Sequence, residues 1–275
     1  FPGGKIEKGE SAVQALTREL YEEVGIKVSA EPIPLINFKY EYSDFIVDMH
    51  VYRLEEWEGS PISCESQQLM WVTLDELLST KMPDANDAIK SALRLPKTCL
   101  ITPDFEGDEL SYLNQLQVCL SNGVKLVQLR MPGSSQVCVA RIAREALALC
   151  RNHMATLLIN NEPSLVDELH ADGLHLPSYI LKDLSERPIS EQSLLSTSCH
   201  NKSEVAHANK VGVDFGYICP INKPFSHDSP SILGWEAAAE LASLANFPVF
   251  ALGGLKKGDT EHAGNLGFQG VSMVT

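Results

Sequence analysis

The sequence predicts a chain of mixed α/β and α+β class, in which a domain that combines helices and strands is followed by a closed (β/α)8 TIM barrel. Three observations support this prediction. With 275 residues, 44% of them hydrophobic, the chain is long enough for two domains with separate cores. Its first third combines one amphipathic helix with alternating, strand-like segments. After residue 96, short apolar segments alternate with helical ones.

The first predicted element is a helix over residues 12–24. Ser11 and Gln14 have the spacing of a capping box, and Gly25 stands where a left-handed residue ends a helix. The apolar positions recur at helical spacing and are Val13, Leu16, Leu20 and Val24.

Three carboxylates project from one face of this helix, because Glu19, Glu22 and Glu23 stand at positions i, i+3 and i+4. Like charges at this spacing repel one another unless a cation neutralises them. Mg²⁺ takes oxygen ligands and leaves coordination positions for substrate phosphates, so the cluster favours a cation site for a phosphorylated substrate. For a glutamate-rich helix with no further pattern, a solvated acidic face would be the better interpretation.

The complete spacing disfavours a merely solvated face, because it resembles the Nudix box. The residues that carry this resemblance are Gly4, Glu10, Arg18, Glu19, Leu20, Glu22, Glu23, Gly25 and Ile26. Four further segments are similar to the MutT branch of that family, the 8-oxo-dGTP diphosphatases: 1–7, 39–44, 56–59 and 83–86.

The resemblance implies hydrolysis of 8-oxo-dGTP to the monophosphate and pyrophosphate, with Mg²⁺ or alternatively Mn²⁺. It implies that Arg18 orients the carboxylates and that Glu65, from a loop outside the box, acts as ligand or base. The implied metal ligands are Glu19, Glu22, Glu23 and Glu65, and the implied catalytic residues add Glu10 and Arg18. The implied substrate-binding residues are Phe1, Gly3, Gly4, Lys5 and Asn86.

Two of these substrate contacts have distinct chemistry. The amide of Asn86 can donate and accept at once, which suits it to the edge of an oxidised purine, while Phe1 would line the base pocket. Outside the resemblance, Asn86 would be interpreted as a turn or cap residue. The implied role is sanitation of the nucleotide pool, and thus DNA repair during DNA replication, in the cytoplasm of a bacterium.

For residues 1–96 the resemblance implies a partial Nudix α/β/α sandwich. The sequence begins at Phe1 without a methionine, whereas Nudix folds have opening strands before this point. We therefore expect part of the sheet and of the nucleotide pocket to precede the sequence given. The remaining elements predicted in this domain are strands within 27–54 and at 71–72, a short helix opened by Thr73 or Asp75, and a helix over 87–95. We place the domain boundary near Pro96, giving domains 1–96 and 97–275.

The second domain predicts about eight βα units, and hence a parallel barrel with its chemistry at the carboxyl ends of the strands. Its landmarks resemble the thiamine phosphate synthase/TenI family from Leu100 onward, most clearly in segments 127–130, 158–160, 171–176, 198–201, 212–215 and 251–255. The resemblance implies that a pyrimidine pyrophosphate or a thiazole phosphate would contact Gln128, Arg130, Asn160, Ser198, Gly253 and Gly254.

The barrel also departs from the family pattern. Met131-Pro132 replaces a glutamate and a lysine, Asn161 replaces a metal-binding aspartate, and Pro177-Ser178 replaces a second acidic ligand. The histidine of the tautomerase branch aligns with Pro220, and His227 lies further along. A barrel without these groups cannot easily stabilise a departing pyrophosphate. We therefore expect an ancillary barrel; the alternatives are a bifunctional enzyme and a ligand-binding or regulatory module.

Composition limits the partners. The formal net charge of −14 disfavours binding to nucleic acid, and the sequence has no apolar run of membrane-spanning length. Seven cysteines, odd in number and without a C-x-x-C pair, predict reduced thiols rather than disulfides or zinc ligands. The expected partners are small molecules, namely a nucleoside triphosphate and a phosphorylated ligand in the barrel, with no nucleic acid and no membrane.

Overall fold

The computed structural model describes residues 1–223 and 232–274. His227 therefore lies outside the described residues. The elements of the first domain are α1 Ala12–Val24, β1 Lys27–Val28, β2 Ile33–Glu41, β3 Ile46–Arg53, β4 Trp57–Glu58, α2 Leu74–Ser79 and α3 Asn86–Arg94.

Helix α1 has the ends that the sequence predicts. The hydroxyl of Ser11 accepts a hydrogen bond from the backbone N–H of Gln14, and the Gln14 side chain accepts one from the N–H of Ser11. Gly25 ends the helix with φ 69°, a left-handed conformation that favours glycine. The apolar face packs Leu20 and Val24 against Ile26.

Two small antiparallel sheets complete the first domain within the described residues. Strands β2 and β3 form a hairpin with a register shift between Pro34 and Ile36, and β1 pairs with β4. The hairpin packs on α3, where Phe38 is only 2% exposed. Burying a side chain of this kind stabilises the fold by about 1.5–3 kcal/mol. The predicted strand at 71–72 is wrong, since this segment has no regular structure and Trp71 is 78% exposed.

The second domain is a closed barrel of eight parallel strands, as the sequence predicts. Each strand pairs with its neighbours in chain order, and the last strand pairs with the first. The strands are β5 Thr98–Ile101, β6 Leu126–Leu129, β7 Thr156–Asn160, β8 Gly173–Leu176, β9 Leu194–Cys199, β10 Phe215–Ile218, β11 Val249–Leu252 and β12 Gly270–Val274.

Seven helices of the barrel are described, together with a 3₁₀ turn at Lys257–Asp259. They are α4 Glu109–Ser121, α5 Gln136–Asn152, α6 Pro163–Leu169, α7 Ser178–Leu181, α8 Lys202–Val211, α9 Gly234–Ala242 and α10 Thr260–Asn265. The main core lies between these helices and the outer face of the strands, while a second cluster around Phe215, Tyr217 and Phe250 fills the barrel interior. Because the strands are parallel, all eight carboxyl ends open onto one face of the barrel.

The first domain and the barrel meet at the amino end of the barrel strands. The buried Gln269, directly before β12, donates from Nε2 to the carbonyl oxygens of Ala92 (3.1 Å) and Leu95 (2.8 Å) at the end of α3. Leu95 is also part of the cluster inside the barrel. The first domain and the barrel are therefore connected both by buried apolar contacts and by hydrogen bonds. Throughout the described part of the chain, the helices are too short or too polar to cross a lipid bilayer.

Candidate active site

Arg18 organises the polar face of α1. Its guanidinium holds Glu10 through two hydrogen bonds, Nε to Oε1 at 2.9 Å and Nη2 to Oε2 at 3.0 Å. Nη1 donates to Glu19 at 2.7 Å and to Glu22 at 3.2 Å. Nη2 also donates to the carbonyl oxygen of Lys5 at 3.0 Å. One arginine is thus hydrogen-bonded both to the loop before α1 and to two carboxylates on α1. A planar guanidinium with five N–H donors is well suited to bind several carboxylates at once.

The charges in this cluster stabilise one another. The hydrogen bonds from Arg18, followed by one from the backbone N–H of Glu7, lower the pKa of Glu10 to about 2. The same bonds, first from Glu10 and then from Glu19, raise the pKa of Arg18. The Glu10 carboxylate is therefore ionised throughout the neutral range, and so is the guanidinium.

The glycines before the helix allow the backbone to approach the carboxylates. The N–H of Gly3 donates to Oε2 of Glu23 at 3.0 Å. At Gly4, a Cβ would lie 2.1 Å from Oε1 of Glu19, a distance that atoms cannot adopt. Glycine is therefore required at this position if Glu19 is to keep its place beside Arg18.

A loop at residues 62–67 is anchored to the end of α1. The N–H of Cys64 donates to the carbonyl oxygen of Glu23 at 3.0 Å, and Nε2 of Gln67 donates to the same oxygen at 3.2 Å. This anchoring brings Glu65, which is exposed, to the carboxyl end of the helix. Sequence reasoning missed Gln67; the only available signal was its place two residues after Glu65.

The residues predicted to contact the substrate are more exposed to solvent than the Arg18 cluster. Phe1 is 58% exposed and Lys5 is also exposed. Asn86 is the first residue of α3, its N–H donates to the carbonyl oxygen of Pro83 at 2.8 Å, and its side chain is half-buried. Neither Phe1 nor Asn86 makes a side-chain hydrogen bond or ring contact within the described residues.

Near the carboxyl end of the barrel strands, a buried polar network includes the predicted residue Ser198. His175 bridges Ser196 (Nδ1 to Oγ, 2.9 Å) and Ser198 (Nε2 to Oγ, 3.3 Å). Burial, and then the charge of Arg130, lowers the pKa of His175 to about 3, so this ring is neutral. Nε2 of the buried Gln128 has no hydrogen-bond partner among the described residues. His175 lies within segment 171–176, which the sequence analysis matches to the synthase family without assigning the histidine a role.

Two predicted barrel contacts are engaged by the protein itself. The Arg130 guanidinium is paired with Asp104. The turn at Gly253 and Gly254 lies against the segment after β10: a Cβ on Gly253 would lie 2.9 Å from Cα of Pro220, and the N–H of Asn222 donates to the carbonyl oxygen of Gly253 at 3.1 Å. The two glycines therefore serve a close backbone approach. The side chain of Asn160, at the end of β7, is half-buried.

Comparison with known proteins assigns both domains. Residues 98–275 match the TMP-TENI family model, described as thiamine monophosphate synthase. The chain belongs to this family. Residues 1–93 match the NUDIX domain model, so the chain carries a Nudix domain before its synthase-type barrel.

Individual relatives agree with this assignment. The 8-oxo-dGTP diphosphatase of Escherichia coli (strain K12) is 39% identical over 95 residues, which are 34% of this chain and 72% of that protein. The thiamine-phosphate synthase of Parasynechococcus marenigrum (strain WH8102) is 26% identical over 219 residues, 78% of this chain; the chain spans 61% of its length. The similarity to the diphosphatase supports the prediction that the chain is a hydrolase.

A solved structure supports the barrel fold. The thiamine phosphate pyrophosphorylase from Pyrococcus furiosus superposes with a TM-score of 0.54 at 17% sequence identity, over 69% of this chain and 87% of that one. At this identity the likeness concerns the fold alone.

Nudix hydrolases generally use divalent metal ions, and the donors on α1 fit such an ion in their chemistry. Arg18 contacts one oxygen of Glu19 and one of Glu22, so the second oxygen of each carboxylate remains open. In the described part of the chain, no three acidic, histidine or cysteine side chains converge closely enough to enclose an ion. The Glu22 side chain is 52% exposed and can turn toward an ion without disturbing the packing.

Proposed function

We propose that residues 1–96 hydrolyse 8-oxo-dGTP to 8-oxo-dGMP and pyrophosphate, with Mg²⁺ as the preferred ion and Mn²⁺ as a substitute. The observation that carries this proposal is the single guanidinium of Arg18, which holds Glu10, Glu19 and Glu22 together on one face of α1. The similarity to the E. coli diphosphatase supports the choice of substrate. The role in the cell would be sanitation of the nucleotide pool.

Each residue has a defined task in this proposal. Glu19, Glu22, Glu23 and Glu65 would hold the cation, which when bound neutralises the triphosphate charge. Arg18 orients Glu19 and Glu22, and Glu10 fixes Arg18. Glu65, carried by the loop anchored on Glu23, would act either as a ligand of the cation or as the base that accepts a proton from the attacking water. Glu10 and Arg18 thus orient the site, and the four other glutamates take part in metal binding or catalysis.

Recognition of the base is assigned to the rim of the site. The Asn86 amide offers a donor and an acceptor to the purine edge, and Phe1 offers a ring face for stacking. The backbone of Gly3 and Gly4, together with the cation of Lys5, would contact the phosphates. A site built to hydrogen-bond a substrate N–H rejects an analogue without it more strongly than a purely apolar pocket does.

The proposal is tested by incubating the full chain with 8-oxo-dGTP and with dGTP in the presence of Mg²⁺ and separating the products by chromatography. We expect 8-oxo-dGMP and pyrophosphate, with a higher kcat/KM for the oxidised nucleotide. Asn86→Ala should reduce this preference at least tenfold while kcat for dGTP stays similar. Release of inorganic phosphate in place of pyrophosphate would contradict the assigned reaction.

A bifunctional chain is the second candidate, and the match of residues 98–275 to the synthase family favours it. Nε2 of the buried Gln128, which has no hydrogen-bond partner among the described residues, would donate to a bound pyrimidine. The test is formation of thiamine phosphate from the pyrimidine pyrophosphate and the thiazole phosphate. Turnover that Gln128→Ala abolishes would establish the second activity. Calorimetric binding of either compound without turnover would instead indicate a ligand-binding module.

A further inference from the structure

A cysteine, a histidine and a glutamate are aligned at the carboxyl end of two neighbouring barrel strands. Cys219 directly follows β10, His200 directly follows β9, and Glu204 lies in the first turn of α8. Sγ of Cys219 is 3.4 Å from Nε2 of His200, and Nδ1 of His200 is 2.9 Å from Oε2 of Glu204. None of these three side chains is among the residues assigned above to nucleotide hydrolysis or to binding in the barrel.

The contacts determine which atoms carry protons. Glu204 accepts hydrogen bonds from the N–H of His200 at 2.8 Å and from Nδ2 of Asn201 at 2.9 Å, so its carboxylate is fixed in place. An ionised carboxylate only accepts hydrogen bonds, so Nδ1 of His200 carries the hydrogen and donates it to Glu204, which leaves the lone pair of Nε2 directed at the thiol. This is the order of nucleophile, base and orienting carboxylate that acyl-transfer enzymes use.

We infer that Cys219, His200 and Glu204 form a nucleophilic thiol site that takes acyl groups from small esters. Cys219 is 9% exposed and His200 exposes 45% of its side chain, so a small ester would approach past the imidazole edge. Burial raises the pKa of the Cys219 thiol to about 12, so the resting sulfur keeps its proton. The thiol must therefore lose its proton during the attack.

The proposed reaction is hydrolysis of an ester through a thioester on Cys219, and it consumes only the ester and water. Nε2 of His200 takes the thiol proton as Sγ of Cys219 forms a bond to the ester carbonyl carbon. The bond to the ester oxygen then breaks, and the leaving alkoxide takes the proton from His200. Water next attacks the thioester, again giving its proton to His200, and releases the carboxylic acid while the thiol is restored. Glu204 stabilises the imidazolium that forms in each step, and it is a positioning residue.

The chain offers a matched control in Cys199. This cysteine ends β9, is 1% exposed, and its carbonyl oxygen accepts the N–H of Cys219 at 3.3 Å. Within the described residues its sulfur makes no contact with an imidazole. Loss of the reaction in Cys219→Ser but not in Cys199→Ser would therefore assign it to the sulfur that faces His200.

The experiment uses the full chain with 4-nitrophenyl acetate, recording nitrophenol release and mapping the acetylated cysteine by mass spectrometry of peptides. We expect acetyl on Cys219, a loss of at least tenfold in Cys219→Ser, and a loss on the order of a hundredfold in His200→Gln, the range typical of general-base catalysis. Glu204→Gln should lower kcat with KM unchanged. Cys199→Ser should react like the unsubstituted chain.

Two results would overturn the inference. One is acetylation of other cysteines in preference to Cys219 in the unsubstituted chain, a result that does not depend on any variant folding correctly. The other is an unchanged rate in His200→Gln, whose side chain is partly exposed and whose substitution leaves the core intact. Circular dichroism melting curves of each variant would confirm that the barrel is folded before rates are compared.

Discussion

Arg18 illustrates how one residue controls the charge of the proposed site. Because Arg18 lowers the pKa of Glu10 to about 2 from an ordinary 4.5, the ion pair stabilises the fold fully above pH 4.5 and loses this contribution as the pH falls toward 2. In Arg18→Gln we expect the Glu10 titration midpoint to rise toward 4.5, measured by carboxyl carbon NMR. Hydrolysis of 8-oxo-dGTP should fall at least tenfold.

The control for Arg18 is Arg144→Gln, which breaks an exposed ion pair with Glu168 on the barrel. This variant should leave both the Glu10 titration and the hydrolysis rate unchanged, since exposed pairs of this kind contribute only about 0–1 kcal/mol. A Glu10 midpoint that stays near 2 in Arg18→Gln would show that another group ionises this carboxyl.

Gly4 tests whether the close approach of backbone to carboxylate matters for activity. A Cβ at this position would displace Oε1 of Glu19, which is the far end of a flexible side chain. We therefore expect Gly4→Ala to move the carboxylate at little cost in stability and to lower kcat at least tenfold. Gly258→Ala is the control, since nothing lies within 4 Å of its Cβ position. Equal activity in both variants would contradict the assigned role of Glu19.

At the scale of single elements, α1 depends on its capping box. Ser11→Ala removes one half of the box and should lower the free energy of unfolding of the first domain by about 1 kcal/mol. Urea denaturation followed by tryptophan fluorescence measures this change, with Trp57 and Trp71 reporting on the first domain and Trp235 on the barrel. Ser60→Ala is an exposed control without a side-chain hydrogen bond in the described structure. A loss of similar size in both would indicate that the cap is not the cause.

Local signals explain which elements the sequence predicts well. Helix α1 follows from a cap, an apolar stripe and a terminal glycine that all lie within fifteen residues. The prediction of a strand at 71–72 is wrong because an aromatic and a β-branched residue favour a strand only where a neighbouring strand can pair with them. The Trp71 ring instead stacks on Trp57, with ring centroids 6.2 Å apart.

At the scale of the whole molecule, Gln269 joins the two parts of the chain. Gln269→Ala would leave the carbonyl oxygens of Ala92 and Leu95 without this buried donor, which should lower the free energy of unfolding by about 1–3 kcal/mol. Differential scanning calorimetry should show the transition at lower temperature. Gln115→Ala, on the exposed face of α4, is the control. An unchanged melting temperature in Gln269→Ala would mean that the two parts are held by other contacts.

The proposed sites differ in how far the sequence predicts them. The Arg18 cluster could be expected because Glu10, Arg18, Glu19 and Glu22 lie within thirteen residues of sequence, and the last three stand on α1. The contact between Cys219 and His200 could not, since these residues are nineteen positions apart and meet only because β9 and β10 are neighbours. The packing of Gly253 against Pro220 was equally hidden, because it depends on the path of the segment after β10.

The central claim is that carboxylates on α1 hydrolyse an oxidised nucleotide, and the most direct test compares Glu23→Gln with Glu31→Gln. Glu23 is held by Gly3 at the proposed site, whereas Glu31 is an exposed glutamate outside it. The measurement is pyrophosphate release from 8-oxo-dGTP by the full chain with Mg²⁺. We predict a loss on the order of a hundredfold or more in Glu23→Gln and full activity in Glu31→Gln. Equal rates in the two variants would contradict the claim.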